Sequence, residues 1–189
     1  YYFRDDQISA LTVPFPGAGG SSAQGKAQAK TDTTQAKAGI EQSLALSVVR
    51  DGEAVSSVEA GTRGKAEDGL DRFDLYGPPG YFGAATLRLI QPNDDRPAAL
   101  ATEYREPDGA GHSFDLRLRA SADTALTLRA DGFSGLEGEA VVLVQKATGE
   151  THPLKEGRQV TVSQRAVETR YRLLVGSESY VEEKKREIR

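Results

Sequence analysis

Period-two alternation of apolar and polar side chains dominates this chain from Ser43 onward. It is clearest over residues 112–120, where Phe114, Leu116 and Leu118 alternate with Asp115, Arg117 and Arg119. It recurs over residues 168–175, where Tyr171, Leu173 and Val175 alternate with Arg170 and Arg172. Such a run puts one set of side chains on a dry face and the other in water, so each segment is predicted as a half-buried strand. Leu44, Leu46 and Val48 predict a further strand, which the Asp51-Gly52 turn returns toward Val55 and Val58 as a hairpin. More strands are predicted over residues 86–90, 98–105 and 124–130, around Leu154, and over 160–162, with a turn at Thr148-Gly149. The run Ala140-Val141-Val142-Leu143-Val144 does not alternate, which predicts a central strand covered on both faces or leaves its register open. About ten short strands and almost no helical periodicity predict an all-β fold, an antiparallel β-sandwich. Its expected core is Phe114, Leu116, Leu118, Leu126, Leu128, Val142, Val144, Tyr171, Leu173 and Val175.

The two ends of the chain read differently. Residues 1–15 carry the strand-like positions Leu11, Val13 and Phe15 and are expected to come from, or be shared with, a preceding module. Residues 16–42 are rich in Gly, Ser, Ala, Gln, Lys and Thr and poor in large apolar side chains, so they predict a linker or flexible arm. Residues 43–180 form the expected sandwich, and 181–189 a charged tail. Ser179 and Glu182 have the capping-box spacing of a helix start there, and Glu182 and Arg186 are spaced as an i,i+4 pair. A strand segment on a long arm could fold back on its own sheet or pair with a neighbour's, which predicts strand pairing by Leu11, Val13 and Phe15 and, between copies, a homo-oligomer or filament. The start in Tyr1-Tyr2-Phe3, without a charged region followed by an apolar one, predicts a chain cut from a larger precursor.

Composition narrows the classes. The formal net charge of −4 argues against a nucleic-acid partner, because phosphate contacts need a dense basic face. No apolar run approaches the roughly 20 residues of a membrane-spanning helix, so no membrane span is expected. With 0 Cys there is neither a disulfide framework nor a thiolate nucleophile or ligand.

The motifs are weak as chemistry. Residues 20–27 approach a phosphate-binding loop, but Ala27 stands where the magnesium-binding hydroxyl belongs and no strand leads in. His112 and His152 lack metal-ligand spacing and read as surface or strand-end histidines. Asp68, Asp71 and Asp74, and separately Asn93-Asp94-Asp95, lack the geometry of a calcium loop and read as solvated acids. No cofactor, metal site or catalytic set is expected, and the chain is read as no enzyme. Tyr76, Tyr81 and Phe82, presented around Pro78-Pro79-Gly80, are the candidate contact residues for a sugar face or a protein partner, against the alternative that they cap the open end of the sandwich.

Five segments carry a family resemblance: Asp71-Arg-Phe-Asp-Leu75, Ala99-Leu-Ala-Thr-Glu-Tyr104, Phe114-Asp-Leu-Arg-Leu118, Val144 with Ala147-Thr-Gly149, and Arg170-Tyr-Arg-Leu-Leu-Val-Gly176. Together they resemble the β-sandwich module that precedes the C-terminal sorting domain in type IX-secreted multidomain surface proteins of Bacteroidota and their relatives. The resemblance implies an extracellular or cell-surface location, other modules of the same precursor as partners, and a non-catalytic structural or adhesive role. The alternative from the residues themselves is a carbohydrate-binding module that meets a surface glycan through the aromatic loop 76–83.

Overall fold

The computed structural model describes residues 39–79, 84–93, 96–107 and 109–188. The expectations for residues 1–15 and for most of the arm, among them strand pairing by Leu11, Val13 and Phe15, lie outside the described residues. The predicted all-β character holds. Strands β1 (Ile40–Arg50) and β2 (Glu53–Arg63) form the first hairpin, and Asp51 and Gly52 adopt φ of 54° and 86° between them. Positive φ at both positions is what a two-residue turn needs to match the strand twist, and an Asp-Gly pair supplies it with little strain. Then come β3 (Leu75–Tyr76), β4 (Ala85–Gln91), β5 (Ala98–Arg105), β6 (Gly111–Ala120) and β7 (Thr124–Ser134). The chain continues through β8 (Ala140–Gln145), β9 (Thr151–Pro153), β10 (Gln159–Gln164) and β11 (Glu168–Gly176) to the helix α1 (Glu178–Ile188).

Among the described residues all eleven strands belong to one hydrogen-bonded sheet, in the order β10-β7-β1-β2-β5-β4-β6-β11-β8-β9, with β3 paired to β5. The pairs are antiparallel except β2 with β5, which run parallel over Glu59–Thr62 and Thr102–Arg105. β5 meets β4 in antiparallel register through Ala98, Ala99 and Leu100, so it changes partner along its length. The side-chain alternation breaks at the same place: Ala101 and Thr102 are both half-buried and Glu103 and Tyr104 both buried.

One face of this sheet makes a single core. Leu46, Leu89, Leu116, Leu128, Leu143 and Tyr171, from six different strands, belong to one buried cluster, so the sheet must curl round it. Its two path ends, β9 and β10, are joined by residues 154–158, a connection that can span at most about 20 Å. That loop is tied on both sides. Leu154 N–H donates to Val141 C=O at 2.8 Å, and Gly157 N–H donates to Ala130 C=O at 2.8 Å. The Glu156 carboxylate accepts from the Gly132 and Phe133 N–H groups at 3.0 and 2.6 Å. A loop thus closes the gap between the sheet's two ends.

The unalternating run in β8 now has a cause. Val141 and Leu143 face the main core, while Val142 and Val144 face outward and pack with Leu174 beneath Val181 of α1. The strand is covered on both faces, as expected, but Val142 and Val144 sit under the helix and not in the main core. The helix begins earlier than the Ser179 pattern predicts. Ser177 Oγ accepts from Tyr180 N–H at 3.3 Å, so Ser177 is the cap.

Candidate functional site

Three strands bring arginines into one row. Arg88 of β4 lies directly opposite Arg117 of β6, and Arg117 lies directly opposite Arg170 of β11. These positions alternate with the core residues Leu87, Leu89, Leu116, Leu118, Tyr171 and Leu173, so the row lies on the outer face. Arg119 follows two residues along β6 on the same face. Like charges directly opposite on neighbouring strands repel, so such a row costs stability unless carboxylates intervene.

Around the row, carboxylates do intervene. Asp115 accepts from Arg172 at 2.8 and 3.2 Å and from Lys146 at 3.3 Å. Burial alone would raise the Asp115 pKa, but hydrogen bonds and charge from Arg172, with help from Lys146, outweigh it and hold the carboxyl below its ordinary value. Glu168 accepts from Arg170 Nε at 3.3 Å. Arg88, Arg117 and Arg119 form no ion pair among the described residues.

Arg88 is also held rigidly. It is only 8% exposed, and its guanidinium donates to Pro78 C=O at 2.5 Å and to Leu87 C=O at 2.6 Å. Its side chain runs so close to Gly77 that a Cβ there would stand 2.1 Å from Arg88 Nε, so this approach requires glycine. Burial, and then the charge of Arg117, lowers the Arg88 pKa. The three guanidiniums border an open groove of about 870 Å³, walled by Gly77, Pro78 and Pro79 on one side and reaching Val167 on the other. Guanidinium groups stay charged at any physiological pH and cannot shuttle protons. Such groups suit the binding of oxyanions.

A second polar cluster is closed. Glu103 is 0% exposed and accepts from Arg105 at 2.7 and 3.0 Å, while its Oε2 has no partner. Burial raises its pKa, an effect that Arg105 only partly offsets. Beside it, the Tyr104 hydroxyl donates to Glu59 at 2.6 Å, and the Arg105 guanidinium lies 4.8 Å from the centre of the Phe114 ring.

Of the residues singled out from sequence, Tyr76 lies on β3, is 69% exposed, and adjoins the groove wall at Gly77. Tyr81 and Phe82 lie outside the described residues, as do Asp94 and Asp95. The carboxylates of Asp71 and Asp74 are turned to the backbone. Asp71 accepts from Glu67 and Phe73 N–H at 2.8 and 2.6 Å, and Asp74 from Asp71 and Tyr104 N–H at 3.1 Å each. They fold the 64–74 loop and pin it to β5. Of the two histidines expected at the surface or at strand ends, His112 stands at the start of β6, where it is buried, and His152 lies on β9 with Nε2 3.6 Å from Glu150. Sequence reasoning missed Arg88, Arg117 and Arg119 as a group. The available signal was that several strands each carry arginine on the wet face, but which ones align is set by pairing between residues far apart in the chain. Set against protein-family models, curated proteins and solved structures, this chain matches none.

Proposed function

We propose that this domain is a non-catalytic structural or adhesive module of a secreted bacterial surface protein, working beside other modules of its precursor. The observation that carries the reading is how charge is divided over the sheet. The carboxylates Asp115, Glu168, Glu103, Asp71 and Asp74 are engaged by cations or backbone N–H groups, whereas Arg88, Arg117 and Arg119 line an open groove without an ion pair among the described residues. That division suits a contact surface better than a reaction centre, which needs a proton carrier near neutral pH. The closed core and its looped ends suit a rigid spacer.

Antibody labelling of intact cells of the source organism tests the location. Labelling before lysis that is removed by protease treatment of whole cells is expected; labelling only after lysis would overturn the surface assignment. Sedimentation across a concentration series tests self-association through residues 1–15, which deletion of that segment should abolish.

A second reading, a carbohydrate-binding module, is favoured by the exposure of Tyr76 beside the proline wall of the groove. A glycan array run with Tyr76→Ala as the comparison separates it from a purely structural role.

A further inference from the structure

We propose that the groove between β4, β6 and residues 77–79 binds an acidic saccharide, with its carboxylate or sulfate groups held by Arg88, Arg117 and Arg119. The assignment rests on the reading of this domain as a contact module, and it places the carbohydrate site in the groove and not on the Tyr76 ring.

Charge is the first argument. Elsewhere the sheet matches its cations with nearby acids: Arg172 and Lys146 with Asp115, Arg170 with Glu168, Arg129 with Asp131, and Arg105 with Glu103. The groove is the exception among the described strands. Its nearest acid across the ladder is Glu168, which faces Arg119 in register but bonds Arg170. An arriving oxyanion would relieve a repulsion that the fold leaves in place.

Preorganisation is the second argument. Pro78 C=O, Leu87 C=O and Ser56 Oγ all accept from the Arg88 guanidinium, so its position is set before a ligand arrives. The planar fork of arginine matches the paired oxygens of carboxylate and sulfate.

Spacing is the third. Arg88 and Arg117 lie directly opposite each other on neighbouring strands whose backbones run about 4.8 Å apart, while Arg119 is displaced about 7 Å along β6. Reaching all three takes a ligand with acceptors repeated along its length. The groove volume of about 870 Å³ fits such a ligand and would leave a bare anion mostly surrounded by water. The net charge of −4 and the short cationic row disfavour a nucleic acid.

The test is calorimetric titration of the whole chain at low salt with four probes: a uronate hexasaccharide, a sulfated hexasaccharide, a neutral hexasaccharide and sodium sulfate. At least one acidic saccharide should bind about tenfold or more tighter than the neutral one and than sulfate, and its affinity should fall as salt rises. The double variant Arg117→Gln/Arg119→Gln should lose that binding while keeping or raising its thermal midpoint, which separates lost binding from lost folding. Tyr76→Ala should bind as before. Equal affinity for neutral and acidic saccharides would overturn the oxyanion assignment and leave the carbohydrate reading standing. Sulfate binding as tight as the saccharides would reduce the groove to a small-anion site and overturn the saccharide. Undiminished binding by the double variant, or no binding of any probe, would also overturn the proposal, and the cell-surface and self-association measurements would still judge the module reading separately.

Discussion

Replacing Arg117 by Gln removes the middle charge of a row in which Arg88 and Arg170 lie directly opposite it on either side. Two unit charges about 5 Å apart repel by about 0.8 kcal/mol in a water-like dielectric, and by more where one is buried. The two neighbours do not count equally. Arg170 is highly exposed and already bonded to Glu168, so its share is small. Arg88 is buried, unneutralised and fixed by Pro78, so it cannot swing away, and it supplies most of the repulsion. Gln keeps much of the aliphatic stem, so little packing is lost. Arg117→Gln should therefore stabilise the fold by about 0.5–1 kcal/mol, which for a chain of this size raises the thermal midpoint by about 1–4 °C. Differential scanning calorimetry at low and at high salt reads it: the gain should shrink with salt, and Arg117→Lys, which keeps the charge, should change little. A fall in midpoint for the Gln variant, or a gain indifferent to salt, would refute the repulsion argument.

Three further outcomes follow from the packing and the buried charges. Leu116→Ala, at a position paired between Leu89 and Tyr171 in the main core, should cost about 2–5 kcal/mol by chemical denaturation, and an unchanged midpoint would mean this face is not the core. Val181→Asp should undock α1 and uncover Val142, Val144 and Leu174, increasing apolar dye binding while the β signal in circular dichroism persists; no rise in dye binding would contradict the helix-covered second cluster. Glu103 has a folded pKa above its unfolded value, so its contribution to stability is fully present below the unfolded value, near 4.5, and is lost as pH rises through the folded value. Glu103→Gln should accordingly match the parent in acid and exceed it in stability near pH 8, and a variant less stable at pH 8 would show that the Arg105 pairing outweighs burial.

The strands were legible because their positions alternate locally. Phe114, Leu116 and Leu118 announce the dry face of β6 without help from the rest of the chain, and Asp51-Gly52 announces its turn. What could not be read is whatever pairing decides. The apolar positions of β8 occur on both faces, so only the docking of α1 distinguishes Val141 and Leu143 from Val142 and Val144. The parallel contact of β2 with β5 joins segments some forty residues apart, and nothing local in Thr102–Arg105 marks it. The candidate site failed to appear for the same reason. Read along the chain, Arg88, Arg117 and Arg170 look like the ordinary wet-face charges of three strands, and only the register makes them neighbours. The same register shows which carboxylates neutralise the surrounding cations, and hence which cations remain.

Nuclear magnetic resonance of the arginine side-chain Nε–H groups during titration with the sulfated hexasaccharide reads the occupancy of the groove most directly. The resonances of Arg88, Arg117 and Arg119 should shift together and saturate together, while those of Arg129 and Arg105, already held by Asp131 and Glu103, stay in place. Shifts spread evenly over the arginines of the sheet, or confined to residues outside the groove, would contradict binding in the groove.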